Sequence, residues 1–208
     1  MTINKVEKVK IDMTSSNLTQ GTNDYFGRSV AIFNNKVYIG ANGHDGAKGA
    51  VCVYDLAGTF EFSIQASDKA GNDNFGYSVA AGSNKVAIGA YGVTSSTGAV
   101  YVYDAANGAN QVKFSHTSPS TNDLFGYCVT IGDSKIGVSS PQVDVGGVAN
   151  RGSAWIFDLD GTNEVEFTPV AGRSDDSSDF FGSSISISGG KVAGFIFVIN
   201  LKIFSHFK

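Results

Sequence analysis

Short apolar runs, rich in β-branched and aromatic residues, alternate along this chain with polar segments rich in glycine, asparagine and serine. The run at 98–104 reads Gly-Ala-Val-Tyr-Val-Tyr-Asp, and similar runs stand at 49–55 and 152–158. Runs of this length and composition are typical of β-strands. Because no segment carries apolar residues at helical spacing over a convincing length, the pattern predicts an all-β protein.

The runs belong to a unit that occurs four times, about every fifty residues. Each unit begins with an Asp-x-Phe-Gly turn, and the turn residues are Asp24, Phe26, Gly27, Asp73, Phe75, Gly76, Asp123, Phe125, Gly126, Asp179, Phe181 and Gly182. The complete units hold four strand-like runs, which is typical of propeller blades. Some runs are apolar on both sides, so neighbouring sheets must cover them.

We therefore predict one domain over 1–208, a β-propeller of about four four-stranded antiparallel blades. The blades are assigned to 20–70, 71–118, 119–173 and 174–208.

The fourth unit and the N-terminus depart from the pattern. After Lys191 the chain runs into the apolar segment 194–200, which resembles the third strand of the other units, as though the second strand and its loop were deleted. We therefore predict a shortened last blade. Residues 1–19 are assigned to an N-terminal strand, with 6–13 as its strand-like core. Pairing this strand with the last blade would close the ring and cover both edges. The alternative is an open arc that other subunits complete, so a homo-oligomer is also considered.

The net charge of the chain limits the kinds of partner that we expect it to bind. The formal net charge is −4 and the pI is near 5.2. Phosphate contacts need clustered Lys and Arg, so nucleic acid is not an expected partner. No apolar run reaches the length of a membrane span, so membrane insertion is not expected either. Residues 1–10 lack the apolar stretch of a secretory signal, which predicts assembly in the cytoplasm rather than export.

The aspartates, serines and histidines that could act in catalysis each have a structural interpretation. The turn aspartates are expected to accept backbone N–H bonds. The serine that follows each Phe-Gly-x is replaced by Cys128 in the third unit, so it is a packing position rather than a nucleophile. His44, His116 and His206 lack metal-ligand spacing and are interpreted as surface or loop residues. Because no triad or dyad can be built, we predict a protein that is not an enzyme.

Two cysteines and three tyrosines complete the candidates. Cys52 and Cys128 occupy different positions of the repeat and are expected to be reduced, packed thiols. Tyr91 lies in a variable loop and is the candidate for binding a partner. Tyr25 and Tyr77 are expected to pack between blades.

The phrases Phe-Gly-x-Ser-Val-Ala, Ile-Gly-Ala and Gly-Ala-Val-Tyr-Val-Tyr-Asp resemble the FG-GAP repeat of integrin-α-type β-propellers over residues 20–192. This resemblance implies a loop between the second and third strands that binds calcium through several carboxylates. The corresponding loops here hold at most one carboxylate, so no cofactor is predicted, and Asn42 and Asp45 are the weaker candidates for a Ca²⁺ site.

The sequence of residues 152–162 is similar to repeat proteins in virions of marine tailed bacteriophages. The resemblance implies a non-enzymatic structural or adhesion β-propeller of a virion, in a tail, a fibre or the capsid surface. Its partners would be other structural proteins or a cell-surface receptor or glycan. The alternative is an extracellular integrin-like adhesion or glycan-binding module, and an enzyme ranks third.

Overall fold

The computed structural model describes residues 9–169, 179–188, 191–195 and 203–206. Its strands are β1 Val30–Phe33, β2 Lys36–Ala41, β3 Ala50–Asp55, β4 Phe60–Ile64, β5 Ser78–Gly82, β6 Lys85–Ala90, β7 Ala99–Asp104, β8 Val112–Phe114, β9 Val129–Gly132, β10 Lys135–Ser140, β11 Ser153–Asp158, β12 Val165–Phe167, β13 Ser184–Ser188, β14 Lys191–Phe195 and β15 Ile203–His206. The helical segments are single turns: a 3₁₀ helix at Met13–Ser15, α1 at His44–Ala47 and α2 at Val93–Ser96.

The strands form antiparallel sheets in chain order. The first three sheets are β1-β2-β3-β4, β5-β6-β7-β8 and β9-β10-β11-β12, and the described part of the fourth is β13-β14-β15. The predicted all-β class and the three four-stranded sheets are confirmed. No helix in the described ranges is long and apolar enough to span a membrane.

Two-residue turns join the first and second strands of the first three sheets. Both turn residues have positive φ in each case: Asn34 and Asn35, Ser83 and Asn84, Asp133 and Ser134. Such turns match the right-handed twist of the strands, and asparagine and aspartate tolerate the left-handed conformation. The local sequence therefore sets the register of each hairpin.

Apolar cores lie between successive sheets. The largest joins Tyr38 and Val53 of the first sheet to Ile88 and Tyr101 of the second. A second core joins the second and third sheets and includes Trp155, and a third joins β11 to β13. The first strands contact one another in the row β1, β5, β9, β13. No comparable contact joins β1 to β13 in the described part of the chain, so the row does not close between its first and last strands there.

Each later Phe-Gly turn docks on the sheet that precedes it. Phe75 forms a parallel bridge with Gly49, and Phe125 forms the same bridge with Gly98. The amide of Phe181 donates to the loop before β11 at 2.8 Å. The Phe75 and Phe125 side chains are fully buried. The repeated turn is therefore the element that joins one sheet to the next.

The turn aspartates organise the backbone just ahead of each phenylalanine. The carboxylate of Asp24 accepts the amide of the residue three positions earlier at 2.6 Å, and Asp73 and Asp123 do the same at 2.6 Å. Asp179 lies half-buried at the same place in the fourth unit. The glycines of the four turns have φ between 83° and 90°, a range that L side chains avoid. In the Asp-x-Phe-Gly turn, the aspartate therefore holds the backbone by a hydrogen bond, and the glycine allows a positive φ.

The predicted organisation of the fourth unit is wrong in one respect. β14 is the second strand, paired with β13, and it includes Gly194 and Phe195, which were assigned to a third strand. β15 takes the third position. The rest of the predicted strand, 196–200, lies outside the described residues. The second strand is therefore present, because the Lys-Val-Ala start of the segment pairs as it does in other units.

The N-terminal segment packs on the first sheet. Residues 9–12 form no strand, and Met13 is buried against β2 and β3. The Tyr54 hydroxyl donates to the Asp12 carbonyl at 3.0 Å. Residues 9–13 therefore form no strand and pack on the first sheet instead, where apolar side chains of β2 and β3 cover Met13. Residues 1–8 lie outside the described residues.

One face of the first sheet stays partly uncovered. Val30 and Ile32 on β1 are 53% and 65% exposed. The counterparts of Val30 in the later sheets, Val79, Val129 and Ile185, are at most 9% exposed, because a preceding sheet covers each of them. Within the described ranges no sheet precedes the first one, and residues 9–13 pack on its other strands.

This difference predicts unequal costs for one substitution at two equivalent positions. Val129→Ala should lower the free energy of unfolding by about 1.5–2.5 kcal/mol, because it removes buried methyl groups. Val30→Ala should change it by less than about 0.5 kcal/mol. Urea denaturation of both variants measures the difference. Equal losses would mean that Val30 is covered in solution.

Candidate binding surface

Four side chains from three successive repeats meet at one end of the row of first strands. This tyrosine–arginine cluster consists of Arg28, Tyr77, Tyr91 and Tyr127. Three of them directly follow a Phe-Gly pair, and Tyr91 directly follows β6. The Ser29 hydroxyl donates to the carbonyl of the second Phe-Gly turn at 2.8 Å, and Ser78 bonds the third turn at the same distance. These bonds hold the starts of the strands side by side.

The rings of the cluster are in direct contact. The ring centroids of Tyr77 lie 4.6 Å from Tyr91 and 5.1 Å from Tyr127, and Tyr91 lies 6.1 Å from Tyr127. The interplanar angles are 82°, 48° and 51°, so the rings are not parallel. The guanidinium carbon of Arg28 lies 4.1 Å from the Tyr77 ring centroid, a cation–π contact. The result is a half-buried aromatic surface with an exposed arginine at its side.

The hydroxyls of the cluster are coupled. The hydrogen bond with Tyr77, followed by burial, raises the pKa of Tyr127 to about 12. Burial is the main cause that raises the pKa of Tyr91, and Arg28 acts in the opposite direction. Tyr91 and Tyr127 are therefore neutral near pH 7, and a neutral hydroxyl can donate or accept a hydrogen bond.

Replacing Tyr77 with phenylalanine is expected to lower the pKa of Tyr127, because the largest cause of its shift is removed. Tyr38, whose pKa is raised to about 12 mainly by burial, serves as the internal control. A tyrosine-resolved NMR titration measures both. The raised pKa of Tyr127 stabilises the fold fully below its ordinary value of 10.0, and this contribution is lost as the pH rises through 12. An unchanged Tyr127 titration would contradict the coupling.

Tyr25 lies apart from the cluster and is 60% exposed. The expectation that it packs between blades is wrong, because in the part of the chain that the structure describes no sheet precedes its unit to receive it. Tyr25 lines a cleft of about 840 Å³ between 17–25 and 43–47. Tyr77 is half-buried and contacts side chains from the first and third units.

Asn42 and Asp45 do not fit a calcium ion. The Asn42 amide is buried and donates to Asn74 at 3.0 Å, whereas the exposed Asp45 carboxylate binds Lys48 at 3.0 Å. Among the described residues, no group of three or more His, Cys, Asp or Glu side chains could hold a metal ion. Calcium needs six to eight oxygens, and here a lysine ammonium already occupies the single carboxylate of this loop.

Two histidines are buried beside turn aspartates, although the sequence suggested surface or loop positions. The Nε2 atom of His116 lies 3.2 Å from an Asp123 oxygen, and the His116 ring stacks on Trp155 at 4.6 Å. His44 lies 3.6 Å from Asp24. His116 lies in a loop and His44 begins the single turn α1, and both side chains are buried.

The serine hydroxyls that follow the turns are hydrogen-bonded, and the cysteine thiols are buried or partly buried. Ser29 and Ser78 donate to the adjoining turns as described above. Cys52 is buried and Cys128 is partly buried, and the two form no disulfide with each other. Burial raises the pKa of Cys52 to about 11 and also raises that of Cys128, so neither thiol ionises readily.

The sequence interpretation selected Tyr91 but missed Arg28 and Tyr127. A signal was present, because Arg28, Tyr77, Tyr127 and Ser183 fill the variable position of Phe-Gly-x in the four units. Side chains at one repeat position that end up side by side can form a surface that no single repeat provides.

Comparison with solved structures supports the fold. The computationally designed Ika4 protein is similar over 93% of this chain and 98% of its own, with a TM-score of 0.56 and 14% sequence identity. At this identity the likeness concerns the fold alone. No curated protein matches the chain. The FG-GAP repeat model matches residues 20–54 and 59–103, which supports the FG-GAP repeat family.

Proposed function

We propose that this protein is a non-enzymatic binding module of the adhesion type, built as a β-propeller, and that it holds its partner at the tyrosine–arginine cluster. The observation that carries this proposal is the meeting of side chains from three repeats at a position that the repeat leaves variable. The constant positions of the repeat build the sheets. The variable ones are free to serve recognition.

The propeller arrangement is supported by the contacts between sheets. First strands lie next to first strands along the row β1, β5, β9 and β13, and apolar cores lie between successive sheets. A radial array brings the first strand of every blade to the centre. The cluster then lies at the mouth of the central axis, where loops of propellers are accessible to partners.

A binding array tests the proposal. The purified protein is applied to a surface that carries neutral glycans, acidic glycans and extracellular matrix proteins. We expect binding to at least one class, weakened about tenfold or more in a Tyr77→Ala/Tyr127→Ala variant because aromatic anchors dominate such contacts. Tyr25→Ala, an exposed tyrosine outside the cluster, should bind as the wild type does. Thermal unfolding of each variant establishes that it is folded.

The proposal fails in two ways. If the wild type binds none of the three classes, the module is not of the adhesion type. If the double variant is folded and binds undiminished, the partner is held elsewhere.

The finer role that we propose is a component of a phage virion, assembled in the host cytoplasm, with the extracellular module as the alternative. This role is proposed because the sequence of residues 152–162 resembles repeat proteins in virions of marine tailed bacteriophages. Mass spectrometry of gradient-purified phage particles tests it. Peptides of this protein at a constant ratio to the capsid protein are expected, whereas their presence only in the culture medium would favour the extracellular alternative.

A further inference from the structure

We propose that the ligand of the tyrosine–arginine cluster is an acidic saccharide, a sugar whose ring carries a carboxylate. This inference rests on the proposed function and adds the chemical class of the ligand. It follows from the charge, the shape and the size of the cluster.

The charge of the cluster is opposite to that of the chain. The protein carries a formal net charge of −4, yet Arg28 is the charged group that acts on the Tyr91 and Tyr127 hydroxyls. The Arg28 guanidinium forms no ion pair within the described part of the chain. An exposed arginine without a carboxylate partner, in an acidic protein, is a site for an anion.

The contact with Tyr77 prepares Arg28 for a carboxylate. Holding the guanidinium 4.1 Å from the ring centroid restricts the long side chain before any ligand arrives. A guanidinium presents its N–H groups as a planar fork, which matches the two oxygens of a carboxylate. A cation–π contact does not pair the guanidinium with an anion, so a carboxylate can still bind the fork.

The tyrosines suit a sugar ring better than a flat ligand. Their interplanar angles of 82°, 48° and 51° offer faces and edges in different directions rather than a parallel stack. A pyranose has apolar C–H faces and equatorial hydroxyls, and a tyrosine offers an apolar ring and a hydroxyl. Stacking and hydrogen bonding can therefore be made together.

The size of the surface argues against a large protein partner at this place. A stable protein interface buries about 800 Å² on each partner. In the described ranges, the exposed large apolar side chains are Val9, Tyr25, Val30, Ile32, Leu56 and Val165, and none belongs to the cluster. The cluster has four side chains, which can hold a terminal sugar, whereas a stable protein interface uses about 20–30 residues on each partner.

Paired saccharides test the inference. Sialyllactose and lactose differ by one acidic sugar, and their dissociation constants can be measured by NMR titration of the tyrosine side chains. We expect sialyllactose to bind at least about tenfold more tightly than lactose and to weaken as salt is added. Arg28→Gln should abolish the difference. Arg28→Lys should retain part of it, because an ammonium is a point charge without the fork.

Two controls separate the alternatives. Lys113→Gln removes the same charge on β8, where Lys113 is paired with Asp68, and should leave the preference for sialyllactose intact. Sodium acetate at equal concentration should compete poorly, whereas competition as effective as that of the saccharide would mean a general anion site and overturn the inference. Equal binding of the two saccharides, or no binding of either, would also overturn it.

The outcome is distinguishable from failure of the proposed function. If matrix proteins bind the wild type on the array and the double tyrosine variant loses them, while both saccharides fail, the adhesion module stands and the saccharide inference falls. If nothing binds in either experiment, both fall.

Discussion

Replacing Gly98 with alanine is expected to lower the free energy of unfolding by about 3 kcal/mol or more. Gly98 has a φ of +88°, and an alanine Cβ would lie 2.1 Å from the Phe125 carbonyl oxygen and 2.5 Å from its nitrogen. Both are backbone atoms of the next Phe-Gly turn, so no side chain can rotate away. The methyl group would force the second and third sheets apart where Gly98 bridges Phe125.

Gly46→Ala is the matched control. Gly46 also has a positive φ, +68°, but an added Cβ would meet no atom within 4 Å. Only the left-handed backbone penalty remains, about 1–2 kcal/mol. Urea denaturation followed by circular dichroism compares the two variants. Equal losses would show that the close approach of the turn to the preceding sheet does not occur in solution.

Replacing Trp155 with alanine is expected to cost about 3–5 kcal/mol. Trp155 is 1% exposed, stacks on His116 at 4.6 Å and lies 5.5 Å from the Phe125 ring. Its removal leaves a cavity between the second and third sheets and takes away the cover of a buried histidine. Both effects act in the same direction.

Trp155→Phe should cost less than Trp155→Ala, because most of the apolar volume is kept. Val165→Ala, on the outer strand β12 and 43% exposed, should change stability by less than about 0.5 kcal/mol. Circular dichroism is the suitable signal, since Trp155 is the single tryptophan of the chain. A loss below about 1 kcal/mol for Trp155→Ala would contradict the packing of this core.

The repeat made most of the fold predictable. The strands of the first three sheets follow the apolar runs, because β-branched and aromatic side chains are stable on a sheet that is covered on both faces. The hairpin turns are formed by pairs such as Asn34 and Asn35, whose side chains tolerate positive φ. These are local preferences, and a local window of sequence contains them.

The termini were less predictable. Residues 9–13 look strand-like in sequence, but they lie on the first sheet without forming a strand. In the last unit, Gly194 and Phe195 belong to the second strand rather than the third. At the ends of a repeat array the neighbours differ from those inside it, so the periodic pattern no longer determines the pairing.

The candidate binding surface was predictable only in part. Tyr91 was visible as an aromatic residue in a variable loop, yet its contacts with Tyr77 and Tyr127 join residues from different repeats. The burial of His116 against Trp155 joins residues almost forty positions apart. Such pairs depend on how sheets stack, which no local pattern encodes.

By itself the sequence determined the all-β class, the repeating unit and the turn that begins each unit, because strand propensity and turn chemistry act over a few residues. The tertiary structure decided which side chains from different units meet, and it was needed to assemble Arg28 and the three tyrosines into one surface. It also decided that Val30 stays exposed while its counterparts are buried, because burial of a sheet face depends on the presence of a neighbouring sheet.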